Sequence, residues 1–92
     1  MKPVSWSTEK SIRLKAERDV SFAEVLSAMS HGGLLDVLDH PNTRQYPNQR
    51  MFVVRTRGYA YLIPFVETRS EVFLKTISPS RKATRKYLAE DR

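Results

Sequence analysis

Two rhythms of apolar and polar residues run along this chain, and they divide it into a helical first third and a strand-rich remainder. "KPVSW" at the start is short and extended, because Pro3 disfavours an early helix. A helix is predicted over residues 8–18, with Ser7 or Thr8 as N-cap and Glu9 well placed in its first turn. Its apolar stripe (Ile12, Leu14 and Ala16 among Lys10, Arg13, Lys15 and Arg18) is thin, so it should lie on the surface of the core. The helical period restarts at "VSFAEVLSAMSHGG": Ser21 and Glu24 form a capping box, and Phe22, Val25, Leu26 and Met29 recur at helical spacing. Gly32-Gly33 ends this second helix.

The period then shortens. "LLDVLDH" reads as a strand, and "PNTRQYPNQ", with two prolines and two asparagines, reads as a loop. "RMFVVRTR" and "YAYLIPFVE" are strands joined by a tight turn near Arg57-Gly58, and "EVFLKTIS" follows through the polar turn "TRS". Pro79 stops that strand and Ser80 caps a last helix, residues 80–90. The expected architecture is α+β: two N-terminal helices packed on an antiparallel sheet of about four strands, with a C-terminal helix, in one domain spanning 1–92. The first two helices should cover one sheet face and leave part of the other open, lined by arginine and tyrosine.

Charge sharpens this picture. Sixteen Lys and Arg against ten Asp and Glu give +6 and a pI near 10.0, which favours a polyanion or an acidic protein as partner. Ten of the cations are arginines, whose planar fork suits phosphate and carboxylate. The absence of cysteine removes disulfides, thiolate metal sites and cysteine nucleophiles, and suits a reducing cytoplasm. Neither a signal peptide nor an apolar run near the roughly 20 residues of a membrane span is found, so no membrane partner is expected.

No acid lies between Asp39 and Glu67, whereas Arg44, Arg50, Arg55 and Arg57 do. On a strand, Arg50 shares a face with Phe52, Val54 and Thr56, and Phe73, Lys75 and Ile77 should share another row. Tyr59 and Tyr61 share a face, for core or rim packing. In the last helix Arg81/Arg85 and Lys82/Lys86 form two i,i+4 pairs, while Ala83, Tyr87 and Leu88 dock it. Arg81 and Lys82 stand in its first turn, where the helix dipole disfavours cations and an anion would be welcome.

Several chemistries lack their residues. His31 and His40 have no metal-ligand spacing around them, there is no nucleophile elbow, and three glycines make no phosphate loop; neither metal nor cofactor is expected. An enzyme built here must work with Arg, Lys, Tyr and Glu. RNA cleavage by the 2′-hydroxyl fits that set, with arginine stabilising phosphorane charge and lysine or tyrosine moving protons.

In order and spacing, several pieces resemble the BrnT-type toxins, a branch of the RelE/ParE-like toxins of bacterial type II toxin–antitoxin pairs. Trp6 with Lys10, and "VSFAEV", resemble that family's W-D-x-x-K and G-V-x-F-E-E. Arg50 opens a strand as the family's arginine does, and "LKTISPSRKAT" resembles R-I-I-S-A-R-x-A-T. The resemblance implies a RelE-like fold, cytoplasmic location, and an endoribonuclease that cleaves free or ribosome-bound RNA and arrests growth. It also implies neutralisation by a cognate antitoxin, a ribbon-helix-helix DNA-binding protein. Matched by position, its catalytic candidates are Lys10, Arg50, Lys75 and Arg81, to which the basic last helix adds Tyr87. Departures are Ser7 for the aspartate, Arg18-Asp19 for His-Gly, Lys75 for an arginine, and one extra residue in "SPSR". The alternative reading is a non-catalytic RelE/ParE-like module that inhibits a protein target or serves mainly to bind its antitoxin.

Overall fold

The computed structural model describes residues 2–89. In chain order the elements are β1 (Val4–Trp6), α1 (Thr8–Arg18), α2 (Phe22–Ala28), β2 (Leu34–Asp39), β3 (Gln49–Thr56), β4 (Tyr59–Glu67), β5 (Val72–Leu74), β6 (Ser78–Pro79) and α3 (Arg81–Leu88). The fold is α+β, with strands side by side in the order β1-β5-β4-β3-β2 and β6 also paired to β4.

Helix boundaries follow local chemistry. Ser7 caps α1 by accepting from Lys10 N, Ser21 caps α2 by accepting from Glu24 N, and Ser80 caps α3 by accepting from Ala83 N. After Ala28 the helix widens into one loose turn, Met29–Gly33, and leaves helical geometry at His31 and Gly32 (φ 86°). The residue after it, Gly33, is needed for space. A Cβ there would lie 2.7 Å from both the Ala28 and the Arg55 carbonyl oxygens.

The sheet is larger than four antiparallel strands, for two reasons. "PVSW" is a true edge strand, pairing parallel to β5 with Val4 beside Val72 and Trp6 beside Leu74. "EVFLKTIS" is also two strands. Leu74 opposes Phe65 whereas Ser78 opposes Leu62, so four steps on one strand face three on the other. The extra residue is a bulge, and it reverses the alternation of faces. Lys75 N still donates to Pro64 O, so Lys75 stays with Phe73 on one face, while Ile77 turns to the other and is fully buried. The shared row expected for Phe73, Lys75 and Ile77 is therefore corrected. The Ile77 carbonyl, in the interrupted stretch, accepts from Arg18 Nη1 at 2.5 Å.

Alternation splits the apolar residues into two layers. One face carries Val54, Ile63, Phe65, Leu74 and Ile77, covered by Leu14 of α1, Val20, and Phe22 and Val25 of α2, all 3% exposed or less. Trp6 joins this layer, its ring 5.8 Å from that of Phe22. On the opposite face Val53 and Ala60 lie beneath Ala83 and Leu88 of α3, flanked by Leu35, Leu38, Leu62 and Tyr87. So α3 occupies ground that the sequence reading had left open. Tyr59 and Tyr61 do share a face, edge to face at 5.8 Å, but it is the face that carries α1 and α2. The expected end of the last helix at 90 lies outside the described residues.

Gly33→Ala should lower stability by about 2 kcal/mol, since backbone rather than a movable side chain blocks the added methyl. Gly58→Ala, with open space but φ +77°, should cost only about 1 kcal/mol. Urea unfolding of the two variants checks this; equal midpoints would refute the crowding at Gly33.

Candidate functional site

Arg50 is positioned by the hairpin of β3 and β4. Arg57 and Gly58 both have positive φ (54° and 77°), the signature of a two-residue turn that closes on the pair Thr56–Tyr59. Counting back, Arg50 falls opposite Phe65, and Glu67 becomes its diagonal neighbour on the same face. The Arg50 guanidinium lies 5.3 Å from the centroid of the Phe65 ring. Phe65 in turn stacks on Phe52, with centroids 3.9 Å apart. At the far side of the guanidinium, Nη2 contacts Glu67 Oε1 at 2.5 Å. Glu67 also receives Lys2 Nζ at 3.0 Å through its other oxygen, and the same ammonium donates to Thr68 O at 2.7 Å. These bonds, from Lys2 foremost and then Arg50, hold the Glu67 carboxyl below its ordinary range.

Around this group lies an open cleft of about 500 Å³, lined by Lys2, Pro47, Asn48, Arg50, Glu67, Thr68 and Arg69. Three cations face one carboxylate there. The Arg69 side chain makes neither an ion pair nor a hydrogen bond with described residues.

The other sequence-based candidates lie elsewhere. Lys10 stands in the first turn of α1, half-buried, with no partner for its ammonium among the described residues. Lys75 is exposed on the opposite sheet face from Arg50, next to the bulge. Arg81 opens α3 and is exposed, as are Lys82 and Arg85, and none of the three pairs with an acid among the described residues. Tyr87 reaches back from α3 to β2, where its hydroxyl donates to Asp36 Oδ2 at 2.6 Å. That bond holds the phenol above its ordinary pKa and Asp36 below its own. Tyr87 is thereby kept as a neutral donor and is poorly disposed to act as a base. Beside it, a shallow groove of about 250 Å³ runs between α3 and the sheet, floored by Leu38, Leu62 and Ala83 and edged by Lys82 and Lys86.

The five candidates therefore do not form one pocket. Arg50 belongs to a cleft at one end of the sheet, Lys10 to a helix on that same side, and Lys75, Arg81 and Tyr87 to the face crossed by α3. Sequence reasoning missed Lys2, Glu67 and Arg69. Glu67 had a usable signal: a two-residue turn at 57–58 fixes the hairpin register and places the carboxylate diagonal to Arg50. Lys2 had none, because its approach depends on the parallel pairing of residues distant in sequence. The two departures at Arg18-Asp19 have structural roles. Arg18 satisfies the Ile77 carbonyl, and Asp19 takes the left-handed position that ends α1 (φ 58°), held by Lys15 and Arg57.

The chain matches no protein-family model, no curated protein and no solved structure.

Ultraviolet titration should find Tyr87 ionising above 10.0, and Asp36→Asn should bring it back toward that value. The sign for stability follows from the depressed Asp36 carboxyl. Its contribution is complete above the unfolded value of 3.8 and is lost as pH falls through the lower folded value. Asp36→Asn should accordingly flatten the acid limb of an unfolding profile below pH 3.8; an unchanged limb would show that the bond does not form in solution.

Proposed function

We propose that this chain is the toxin of a type II toxin–antitoxin pair and acts as a metal-independent endoribonuclease in the cytoplasm. The reading rests on one observation above the others. Arg81, Lys82 and Arg85 form an exposed basic surface on α3 with no acidic partner among the described residues, and Lys75 is exposed on the same sheet face. A phosphate backbone would occupy these donors without the desolvation that an internal pair requires. Cations in the first turn of a helix also fit an anion held there rather than self-contained stability. The specific activity in this reading comes from the resemblance of Trp6, Lys10, Arg50 and "TISPSRKAT" to the motifs of the BrnT-type toxins. RNA, free or on a ribosome, is the substrate, and a ribbon-helix-helix antitoxin is the partner that restrains it.

One observation favours the non-catalytic alternative. Two of the candidate groups already have partners: Arg50 is paired with Glu67, and Tyr87 is bonded to Asp36. A module that inhibits a protein target, or chiefly docks an antitoxin, would arrest growth and leave RNA whole.

Induced expression followed by sequencing of RNA ends separates these readings. The ribonuclease reading expects growth arrest with new cleavage ends, and Arg50→Ala with Arg81→Ala should abolish both while the circular dichroism of the fold persists. Growth arrest with intact RNA would select the alternative. For binding, Arg81→Ala, Lys82→Ala and Arg85→Ala together should reduce the slope of log affinity for single-stranded RNA against log salt by about 2, at roughly 0.7 per lost phosphate contact. An unchanged slope would remove α3 from the interface.

A further inference from the structure

We propose that the cleft between Lys2, Arg50, Glu67 and Arg69 is the reaction centre for phosphodiester cleavage, with the Glu67 carboxylate as general base toward a ribose 2′-hydroxyl. This deepens the ribonuclease reading and rests on it. Glu67 is gripped from two sides, by Lys2 and Arg50, at the wall of a cleft wide enough for a nucleotide. Its surroundings match the charge changes of the reaction. A phosphodiester arrives with one negative charge and passes through a phosphorane with two, and three cations border the space it would enter. Arg69 has no described partner and is available at once, while Asn48 and Thr68 add neutral polar groups to the lining.

The bonds that make Glu67 a weak base in the empty cleft are the ones a phosphate would compete for. As the phosphate draws the Arg50 and Lys2 donors onto its own oxygens, Glu67 loses its two stabilising bonds and gains a negative neighbour. Both changes raise its proton affinity. In this way binding the anion activates the base. Arg50 keeps its orientation through that exchange because Phe65 and Phe52 support its guanidinium from below.

The step balances without a cofactor. The 2′-hydroxyl gives its proton to Glu67, its oxygen forms a bond to phosphorus, and the P–O5′ bond breaks. The departing O5′ takes a proton from the Lys2 ammonium, leaving a 2′,3′-cyclic phosphate and a 5′-hydroxyl. Proton exchange with water then restores both residues.

The assay uses the intact chain and a quenched-fluorophore DNA oligonucleotide carrying a single ribonucleotide. Glu67→Gln keeps the shape of the side chain and one accepting oxygen, gives up one of its two accepted bonds, and cannot take a proton. It should cut the cleavage rate 100-fold or more without weakening RNA binding, within the span usual for a general base. In the wild type, kcat/KM should rise with pH through a limb below 4.5, and Glu67→Gln should lose that limb. A Glu67→Gln protein that cleaves at the wild-type rate overturns this assignment while the ribonuclease reading stands. A wild-type chain that leaves the oligonucleotide intact, alone and with ribosomes, overturns both. Cytidine 3′-monophosphate provides a check independent of turnover. In an NMR titration it should shift the amides of Asn48, Arg50, Thr68 and Arg69, and shifts confined to α3 would place the phosphate elsewhere and refute the proposal.

Discussion

Everything in this molecule is positioned from the pairing of β3 with β4. The turn at Arg57-Gly58 closes that hairpin in one register only, and eight successive cross-strand pairs follow from it. Those pairs decide that Val54, Ile63 and Phe65 look toward α1 and α2, and that Val53 and Ala60 look toward α3. They also set Arg50 on Phe65 at the far end of the hairpin. The turn asks a non-glycine residue, Arg57, to adopt a left-handed conformation, and α1 ends on another, Asp19. The two are tied to each other, since Arg57 contacts the Asp19 carboxylate and main-chain carbonyl and also Glu24. Exposed ion pairs of this kind contribute little singly. Here they join three segments that would each be more costly alone, and Lys15 completes the group from α1.

Much of this order could be read in the chain because it follows from local rules. Serine before a helical run became an N-cap three times. Alternation along "RMFVVRT" and "YAYLIPF" separated the two faces of the central strands, and Arg50 was placed correctly on the Phe52 and Val54 face. What could not be read depended on partners distant in sequence. A three-residue stretch such as "VSW" has no strand signal of its own; it becomes one because β5 offers an open edge 68 residues on. The bulge after Leu74 was equally invisible, as nothing in "LKTIS" marks where the ladder will gain a residue. The site suffered most from that gap. Lys75 and Arg81 were grouped with Arg50 by the family resemblance, and the sheet divides them.

The division changes how the basic charge should be understood. A net +6 is not one patch but two surfaces of different character. On α3 the cations are exposed and without described acid partners, which suits contact with a backbone of repeating charge and little shape. In the cleft, an aromatic ring restrains Arg50 and a shared carboxylate holds Arg50 and Lys2, which suits the positioning of a single phosphate. In the proposed reading, binding and chemistry are divided between residues on opposite faces of the sheet.

The bulge between β5 and β6 gives this chain a parity. Downstream of it, each residue faces the side that an uninterrupted strand would have denied it, and that is how Ile77 enters the core. Losing one residue from the segment would leave three steps facing three, an uninterrupted ladder in which Ile77 keeps its inward face. Losing two would leave two steps facing three, and the mismatch would pass to β4. The segment between Leu74 and Ser78 is thus one residue longer than its ladder needs, and the bulge absorbs the excess while delivering the same side chain to the core.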